Sequence, residues 1–347
     1  MRTVGFGIVG CGMISRFHAA AIESVDGARL VGVFDPVPEA AERTAHAYGT
    51  RRFDSLEEML ACKETEAVCV CTPNGLHAPI ALKALDAGRH VVIEKPMALT
   101  LKDADEIARA ALQRNLCVSV ISQLRFSPAI QAVKQALEEK RLGKVVSASL
   151  AMKYWRDSAY YASSNWRGTW AMDGGGALMN QGIHGVDLLQ YLAGPVRRLT
   201  AVCKTQTKNI EVEDSAAAVL EFESGAVGTL EGSTTCRPGY PRRLEICGDL
   251  GSVVLEEEDI LRWDVPGEAP TLPRHESRAA ADPSAINTSG HERQLHNVVH
   301  AIRGEEPLWI NAAEGRKPVE IILAVYESSR LGRPVELQKG EAPDAAR

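Results

Sequence analysis

The sequence contains one lysine whose surroundings suit acid–base chemistry. Lys95 follows the apolar run 90–93 and precedes Pro96, which restricts the local backbone. In a parallel α/β sheet, ligands bind beside the carboxyl ends of the strands, so this amine would lie at such an edge. A secondary alcohol releases hydride readily only when a base takes its hydroxyl proton, and an apolar wall or a nearby positive charge lowers the pKa of a lysine. We therefore interpret Lys95 as a candidate base; a solvated surface lysine is the alternative.

A second pair of candidates follows a glycine run at residues 174–176. Asn180 and His184 are four positions apart, a spacing that puts both on one face of a helix. Asn can hold a hydroxyl group but cannot take its proton, whereas a neutral imidazole can accept one. We predict catalytic roles for both, and a buried core histidine is the alternative for His184. The glycine run favours close backbone approach at the site over a simple helix cap.

A glycine-rich turn near the N-terminus indicates dinucleotide binding. An apolar run ends at Gly10 and Gly12, and helical periodicity then begins. The first glycine permits a tight turn, the second lets the backbone approach a pyrophosphate, and the helix N-terminus offers N–H groups to phosphates. Asp35 ends the next apolar run, where a carboxylate binds ribose hydroxyls and repels a 2′-phosphate, which favours NAD over NADP. A surface turn with a capping aspartate is the alternative. The predicted contacts come from Gly10, Gly12, Met13, Ile14 and Asp35.

The elements that position these residues change in character near residue 125. Over residues 1–125, short apolar runs alternate with helical segments, which supply the crossovers that parallel strands need. This pattern predicts an α/β fold that begins with a doubly wound parallel sheet, the Rossmann architecture. Residues 126–347 carry consecutive strand-like runs separated by turn signals such as 223–225. We predict an α+β domain with a large open, mainly antiparallel sheet for this second part.

The C-terminal third of the chain is predicted to end in helices. Residues 265–290 are rich in Pro, Ala, Ser and charge, which favours a surface loop. Helical periodicity returns at 291–302 and 312–329. An open sheet with an uncovered apolar face is a liability in water, so we expect a homodimer or homotetramer.

The composition excludes several classes of protein. The 347 residues include 39 Lys plus Arg and 45 Asp plus Glu, so the net charge is −6 and nucleic acid is not an expected partner. No apolar run reaches the roughly 18 residues that a membrane span requires. The eight cysteines lack the paired C-x-x-C spacing of zinc sites. We therefore expect no metal, and reduced thiols in a cytoplasmic protein.

Several motifs together resemble the glucose–fructose oxidoreductase / inositol dehydrogenase (Gfo/Idh/MocA) family over nearly the full length. The resemblance implies an N-terminal Rossmann domain that binds NAD, and a C-terminal α/β domain for substrate binding and oligomerisation. It also implies that the helix at 312–330 returns to pack on the first domain. The segment GGGALMNQGIH is similar to that of nucleotide-sugar dehydrogenases, for example UDP-N-acetyl-2-amino-2-deoxyglucuronate dehydrogenases. The motifs are GIVGCG at 7–12, TPNGLH at 72–77, EKP at 94–96, WRGTW at 166–170, GGGALMNQGIH at 174–184 and EGRK at 314–317.

The resemblance also implies roles for individual residues. Lys95 of the EKP motif is the family's base. Inositol dehydrogenase-like members have an aspartate at the position of Asn180 that acts in proton transfer with the histidine, and this chain departs from that pattern. Further cofactor contacts are predicted for Thr72, Pro73, Asn74, His77, Glu94, Lys95, Gln123, Trp166 and Arg167. For His77, a position at the start of a helix without cofactor contact is the alternative.

Aromatic residues cluster between positions 154 and 161, in a chain with only 5% of them. Sugar rings stack on aromatic faces, and Arg and Tyr supply hydrogen bonds, so this stretch and the turn at 237–240 are candidates for substrate binding. Packing at an interface is the alternative, because Trp and Tyr are also enriched there. The predicted substrate contacts are Lys95, Tyr154, Arg156, Tyr160, Asn180, His184, Arg237 and Tyr240.

The combined prediction is an NAD-dependent dehydrogenase. Such an enzyme would oxidise a secondary hydroxyl of a sugar, cyclitol or nucleotide sugar to a ketone by hydride transfer to nicotinamide. One alternative is a glycoside hydrolase that uses bound NAD transiently. Another is a non-catalytic dinucleotide-binding regulator, since folds host unrelated functions.

Overall fold

The computed structural model describes residues 2–272 and 288–337, which divide into two compact units. The first unit contains residues 2–123 and 288–316, and the second contains residues 124–272 and 317–337. Each unit is built around one sheet.

The first unit contains a six-stranded sheet in the order β3-β2-β1-β4-β5-β6, in which every neighbouring pair is parallel. The order reverses at β1, as in a doubly wound sheet, so the predicted Rossmann architecture is confirmed. The strands are β1 (Val4–Val9), β2 (Ala28–Phe34), β3 (Arg51–Arg52), β4 (Ala67–Val70), β5 (His90–Ile93) and β6 (Val118–Val120). The crossover helices are α1 (Ser15–Ser24), α2 (Pro38–Ala47), α3 (Leu56–Ala61), α4 (His77–Asp86) and α5 (Leu101–Arg114).

Local sequence explains these elements. Every residue of β1 and of β4 is buried, as expected for central parallel strands covered by helices on both faces. Helix α5 begins where the Thr100 hydroxyl accepts the Asp103 backbone N–H at 3.1 Å, and it ends where Asn115 adopts a left-handed φ of 53°.

The second unit contains an eight-stranded sheet in the order β13-β12-β11-β7-β10-β9-β8-β14. Only β7 and β10 pair in parallel, so the predicted mainly antiparallel sheet is confirmed. Its strands are β7 (Val145–Lys153), β8 (Val196–Lys204), β9 (Ser215–Phe222), β10 (Val227–Ser233), β11 (Arg243–Gly248), β12 (Ser252–Glu256), β13 (Asp259–Asp264) and β14 (Val335–Glu336). Its helices before residue 272 are α6 (Pro128–Glu138), α7 (Ser158–Ala162), a π-helix at Ala177–Gly182 and α8 (Ile183–Ala193).

The last two helices are α9 (Ser289–Ile302) and α10 (Ala312–Leu331). Helix α9 belongs to the first unit, because its Leu295, Val298 and Val299 lie in the same core as β1. We expected the helix at 312–330 to pack on this unit as well. In the structure only residues 312–316 group with it, and residues 317–331 group with the second unit. Hydrogen bonds contribute to this grouping, because the hydroxyl oxygens of Ser328 and Ser329 accept backbone N–H groups of β8 at 3.0 and 2.8 Å.

Strand β13 ends just before the predicted loop at 265–290, and residues 273–287 of that loop fall outside the described residues. Across residues 2–272 and 288–337, no helix combines the length and apolarity needed to cross a membrane.

Candidate active site

The glycine turn after β1 has the geometry of a phosphate-binding loop. Gly10 has a φ of +94°, and a Cβ there would lie 2.6 Å from the Cys71 carbonyl oxygen, so only glycine fits. A Cβ on Gly12 would meet no atom within 4 Å, which leaves open space beside the backbone. Helix α1 begins after Ile14 with no side-chain cap and no acidic residue in its first turn. Free N–H groups and the positive end of the helix therefore adjoin this space, and these residues fit the pyrophosphate of a dinucleotide.

Asp35 directly follows β2 and stabilises this turn by hydrogen bonds. Its two carboxylate oxygens accept the backbone N–H groups of Cys11 at 2.7 Å and Val37 at 2.8 Å. A carboxylate has further lone pairs, so Asp35 retains acceptor capacity for ribose hydroxyls. Next to it, Met13 exposes 38% of its surface.

His77 connects two segments that follow neighbouring strands. Its Nδ1 lies 2.7 Å from the Pro96 carbonyl oxygen and its Nε2 lies 2.9 Å from that of Thr72. The imidazole is fully buried, and burial lowers its pKa. His77 therefore ties the segment after β4, which contains Pro73 and the buried Asn74, to the segment that carries Lys95.

Lys95 lies two residues after β5, and its bond to Pro96 is cis. The preceding Glu94 is buried, and its Oε2 accepts the Lys95 backbone N–H at 3.1 Å. The other carboxylate oxygen, Oε1, lies 2.8 Å from His18 Nε2 and 3.8 Å from His291 Nε2. Glu94 thus holds the backbone of the candidate base and is itself held from α1 and α9.

The charges of this cluster follow from its surroundings. Burial alone would raise the pKa of Glu94, but the hydrogen bond from His18 and the nearby His291 outweigh burial, so the pKa lies well below its usual range. Burial likewise opposes protonation of His18, but Cys71, Cys69 and Glu94 outweigh it and raise the His18 pKa well above its usual value. Burial lowers the pKa of His291. Glu94 and His18 therefore form a buried ion pair beside a neutral imidazole.

The same three side chains form the one group in the described ranges that could hold a metal ion, with ligand atoms within 4.8 Å of one another. The spacing favours the ion pair instead. A tetrahedral metal with bonds of about 2.1 Å separates its ligand atoms by roughly 3.4 Å. The contact between His18 and Glu94, at 2.8 Å, has the length of a hydrogen bond, and His291 lies farther away.

The second unit carries Asn180 on the π-helix and His184 on α8, which follows without a break. Asn180 is 9% exposed, and its Nδ2 donates to the buried Asp173 carboxylate at 2.5 Å. Its Oδ1 accepts from Gln181 Nε2 at 3.2 Å. The amide orientation of Asn180 is therefore fixed by two neighbours that sequence reasoning missed. π-Helical turns are rare and occur often at functional sites.

Gln181 links Asn180 to a cluster of arginines and aromatic rings. Its Nε2 donates to the Tyr160 hydroxyl at 2.6 Å, and its Oε1 accepts from Arg156 Nε at 2.8 Å. The Arg167 guanidinium lies over the Tyr160 ring, 4.3 Å from its centroid, and 5.0 Å from that of Trp166. The structure thus brings together predicted cofactor and substrate residues of this unit.

Tyr154 adjoins this cluster, because the Arg156 guanidinium lies 5.6 Å from the centroid of its ring. Tyr154 is buried, burial raises its pKa, and Arg242 and Glu257 act on its hydroxyl. The remaining predicted residues lie elsewhere. Arg237 lies on an exposed turn, 5.7 Å from the Trp155 ring centroid, and Tyr240 exposes 54% of its surface on that turn. In the first unit, Gln123 is buried after β6, and its Oε1 has no hydrogen-bond partner among the described residues.

Family comparisons agree with this architecture in both parts of the chain. Residues 4–122 match the model of the oxidoreductase family with an NAD-binding Rossmann fold, and residues 130–254 match the GFO/IDH/MocA C-terminal domain. D-apiose dehydrogenase of Paraburkholderia graminis is 29% identical, over 96% of this chain and 90% of that protein.

Two solved structures are similar over almost the whole chain. The WlbA dehydrogenase from Chromobacterium violaceum, in complex with NADH and UDP-GlcNAcA, has a TM-score of 0.88 and 34% identity, covering 98% of this chain and 97% of that one. The WlbA dehydrogenase from Bordetella pertussis, with the same two ligands, has a TM-score of 0.88 and 33% identity, covering 98% and 100%.

The chain therefore belongs to the Gfo/Idh/MocA family of NAD-binding oxidoreductases. It is an NAD-dependent dehydrogenase of the class whose curated members act on sugars and inositols.

Proposed function

We propose that this protein oxidises a secondary hydroxyl group of a sugar, cyclitol or nucleotide sugar to a ketone. The observation that carries the proposal is Lys95, which lies two residues after β5, the strand next to the edge of a dinucleotide-binding sheet, and whose backbone N–H is accepted by Glu94. An amine at the carboxyl edge of such a sheet lies where ligands bind. Bound NAD supplies the hydride acceptor.

The chain's own residues divide the remaining work. Lys95 accepts the hydroxyl proton as the ketone forms. His184 polarises the hydroxyl or accepts its proton, and Asn180 holds the hydroxyl by hydrogen bonds. Because Asp173 and Gln181 fix the Asn180 amide, this residue is suited to positioning and not to proton transfer. We assign residues 1–125 to NAD binding and residues 126–347 to substrate binding.

A nucleotide sugar that carries a carboxylate is our preferred substrate class. The guanidinium groups of Arg156 and Arg167 lie 5.8 and 4.3 Å from the centroid of the Tyr160 ring. Arg156 also donates to Gln181, the neighbour of Asn180, so two cations lie close to this part of the site. Guanidinium groups suit carboxylate and phosphate recognition. The two similar WlbA structures contain UDP-GlcNAcA, which makes it the first compound to test.

We also propose a homodimer or homotetramer formed through the open sheet. On its outward face Val202, Val219 and Val227 are more than half exposed, beside Thr200 and Thr229 on paired strands. Val219 pairs with Thr200 and Thr229, while Glu221, opposite Val227, is ion-paired with Arg197 and Arg198, and a face of this kind suits a second copy of the same chain. Sedimentation equilibrium tests this proposal, and a monomeric mass at micromolar concentration contradicts it.

All eight cysteines are free thiols, which supports a cytoplasmic location.

The function is tested by following NADH formation with a panel of sugars, inositols and nucleotide sugars. We expect stoichiometric NADH with UDP-GlcNAcA or a related compound, and weaker activity with NADP. Glycoside cleavage without accumulation of NADH would favour the hydrolase. NAD binding without turnover of any panel compound would favour the regulator.

A further inference from the structure

A buried glutamate of the second unit holds the start of the π-helix. Glu213 precedes β9 and is 3% exposed. Its Oε2 accepts the Gly176 backbone N–H at 2.9 Å, and its Oε1 accepts the Leu178 backbone N–H at 2.8 Å. The Tyr326 hydroxyl of α10 donates to the same Oε1 at 2.9 Å. One carboxylate therefore receives two of the N–H groups that a helix N-terminus leaves without intrahelical partners.

The glycine run serves this contact. A Cβ on Gly175 would lie 2.1 Å from the Tyr326 hydroxyl, and a Cβ on Gly176 would lie 2.0 Å from the Glu213 carbonyl oxygen. That same carbonyl accepts the Ala177 N–H at 3.0 Å. Close backbone approach is thus required at residues 175 and 176, and the groups approached are Glu213 and Tyr326.

The segment held in this way carries Asn180 and leads directly into His184. Because π-helical turns have poorer intrinsic stability than α-helical ones, an external anchor determines where such a turn forms. We propose that Glu213 and Tyr326 are positioning residues that set the π-helical turn and so orient Asn180 and His184 toward the substrate. This inference rests on the function proposed above.

The ionised carboxylate strengthens the anchor. Three donors converge on its two oxygens, and hydrogen bonds to a charged acceptor are stronger than those to a neutral carboxyl group. Burial raises the Glu213 pKa, although the donors oppose this shift. The ionisable groups that face it are Tyr326 and Cys203, and burial raises the pKa of both, that of Cys203 to about 12. In the acidic and neutral range, therefore, Glu213 alone among them changes charge.

The proposal is tested with Glu213→Gln and Tyr326→Phe, with the exposed Glu223→Gln of the β9–β10 turn as the control. With UDP-GlcNAcA and NAD, we expect kcat to fall about 10- to 100-fold in Glu213→Gln and about 10-fold in Tyr326→Phe, because small displacements of catalytic groups have effects of this size. The KM for NAD and the NADH affinity should stay within about twofold of wild type. The acid side of the kcat profile should differ in shape between wild type and Glu213→Gln, because one of the groups that change charge there is removed.

A second readout is independent of activity. Hydrogen exchange at the amides of Gly176 and Leu178 should be at least about tenfold faster in both variants than in wild type and Glu223→Gln. Unchanged kcat and unchanged exchange would overturn the proposal. If wild type oxidises no compound of the panel, the proposed function fails, and exchange still decides whether the anchor exists. If Glu213→Gln does not fold, Tyr326→Phe, which keeps the packing and removes one hydroxyl, carries both measurements.

Discussion

The two units each bury a glutamate against the segment that carries a proposed catalytic residue, yet they compensate its charge differently. Glu94 in the first unit pairs with protonated His18, and its pKa is well below the usual range. Glu213 in the second unit receives only neutral donors, and burial raises its pKa. The opposite charge on His18 outweighs the effect of burial on the Glu94 pKa, whereas the N–H and O–H donors to Glu213 oppose that effect without outweighing it.

The difference has consequences for stability. Removing one partner of a buried ion pair leaves a charge without compensation, whereas removing a carboxylate from neutral donors leaves only unpaired hydrogen-bonding groups. The Glu94 cluster should therefore be more sensitive to substitution than the Glu213 anchor.

The largest effect on stability is expected for Glu94→Ala. It would leave the buried His18 beside unfilled space, and we expect the free energy of unfolding in urea to fall by about 3–5 kcal/mol. The control is Glu106→Ala on the exposed face of α5, which should change it by less than about 0.5 kcal/mol. A loss below about 1 kcal/mol for Glu94→Ala would contradict the assignment of a buried ion pair.

A smaller effect is expected for Gly175→Ala in the second unit. The added methyl group would lie 2.1 Å from the Tyr326 hydroxyl oxygen and 2.7 Å from Met179 Cβ, and the φ of +156° is itself unfavourable for alanine, so we expect the free energy of unfolding to fall by about 1–3 kcal/mol. Tyr326→Phe removes the first of these collisions, so the loss of stability in the double variant should be at least about 0.5 kcal/mol smaller than the sum of the two single losses. Additive effects would show that the two groups do not meet.

The smallest effect is the pH dependence of stability, which should have opposite signs for the two glutamates. The pKa of Glu94 is lower in the folded state than in the unfolded state. Its ionised carboxylate therefore stabilises the folded state above pH 4.5, and this stabilisation is lost as the pH falls through the folded-state pKa. The pKa of Glu213 is higher in the folded state than in the unfolded state. Its contribution to the free energy of unfolding is therefore fully present below pH 4.5 and is lost as the pH rises through the folded-state pKa.

Urea unfolding between pH 3 and pH 6.5, where His18 is protonated in the folded state, separates these terms. The free energy of unfolding of wild type minus that of Glu94→Gln should decrease as the pH is lowered. The free energy of unfolding of wild type minus that of Glu213→Gln should decrease as the pH is raised toward neutral. Each slope is limited to about 1.4 kcal/mol per pH unit for one proton. Parallel profiles for the two variants would remove the distinction between the glutamates.

Elements defined by local pattern were predictable from the sequence. The apolar run at 90–93 coincides with β5, and the helical periodicity at 291–302 and 312–329 agrees with α9 and α10 to within two residues, since burial of a strand or a helix face determines the pattern. The glycine turn and Lys95 were predictable for the same reason, because the strand, turn and helix that position them are contiguous.

Long-range partners were not predictable in this way. Glu213 lies 35 positions from Leu178 and 113 from Tyr326, and no local periodicity records such contacts. The glycine run indicated close approach but not what approaches. Strand β13 pairs with β12 across a turn at residues 257–258, and its partly exposed residues lack the alternating burial of a half-buried strand.

The most direct test of the central claim is the single-turnover rate of NADH formation in Lys95→Ala, compared with wild type on the most active compound of the panel. We predict a rate about 10²- to 10⁴-fold lower, because a general base contributes that much, while NADH still binds. A rate close to that of wild type would show that the proton leaves by another group, and the role assigned to Lys95 would be wrong.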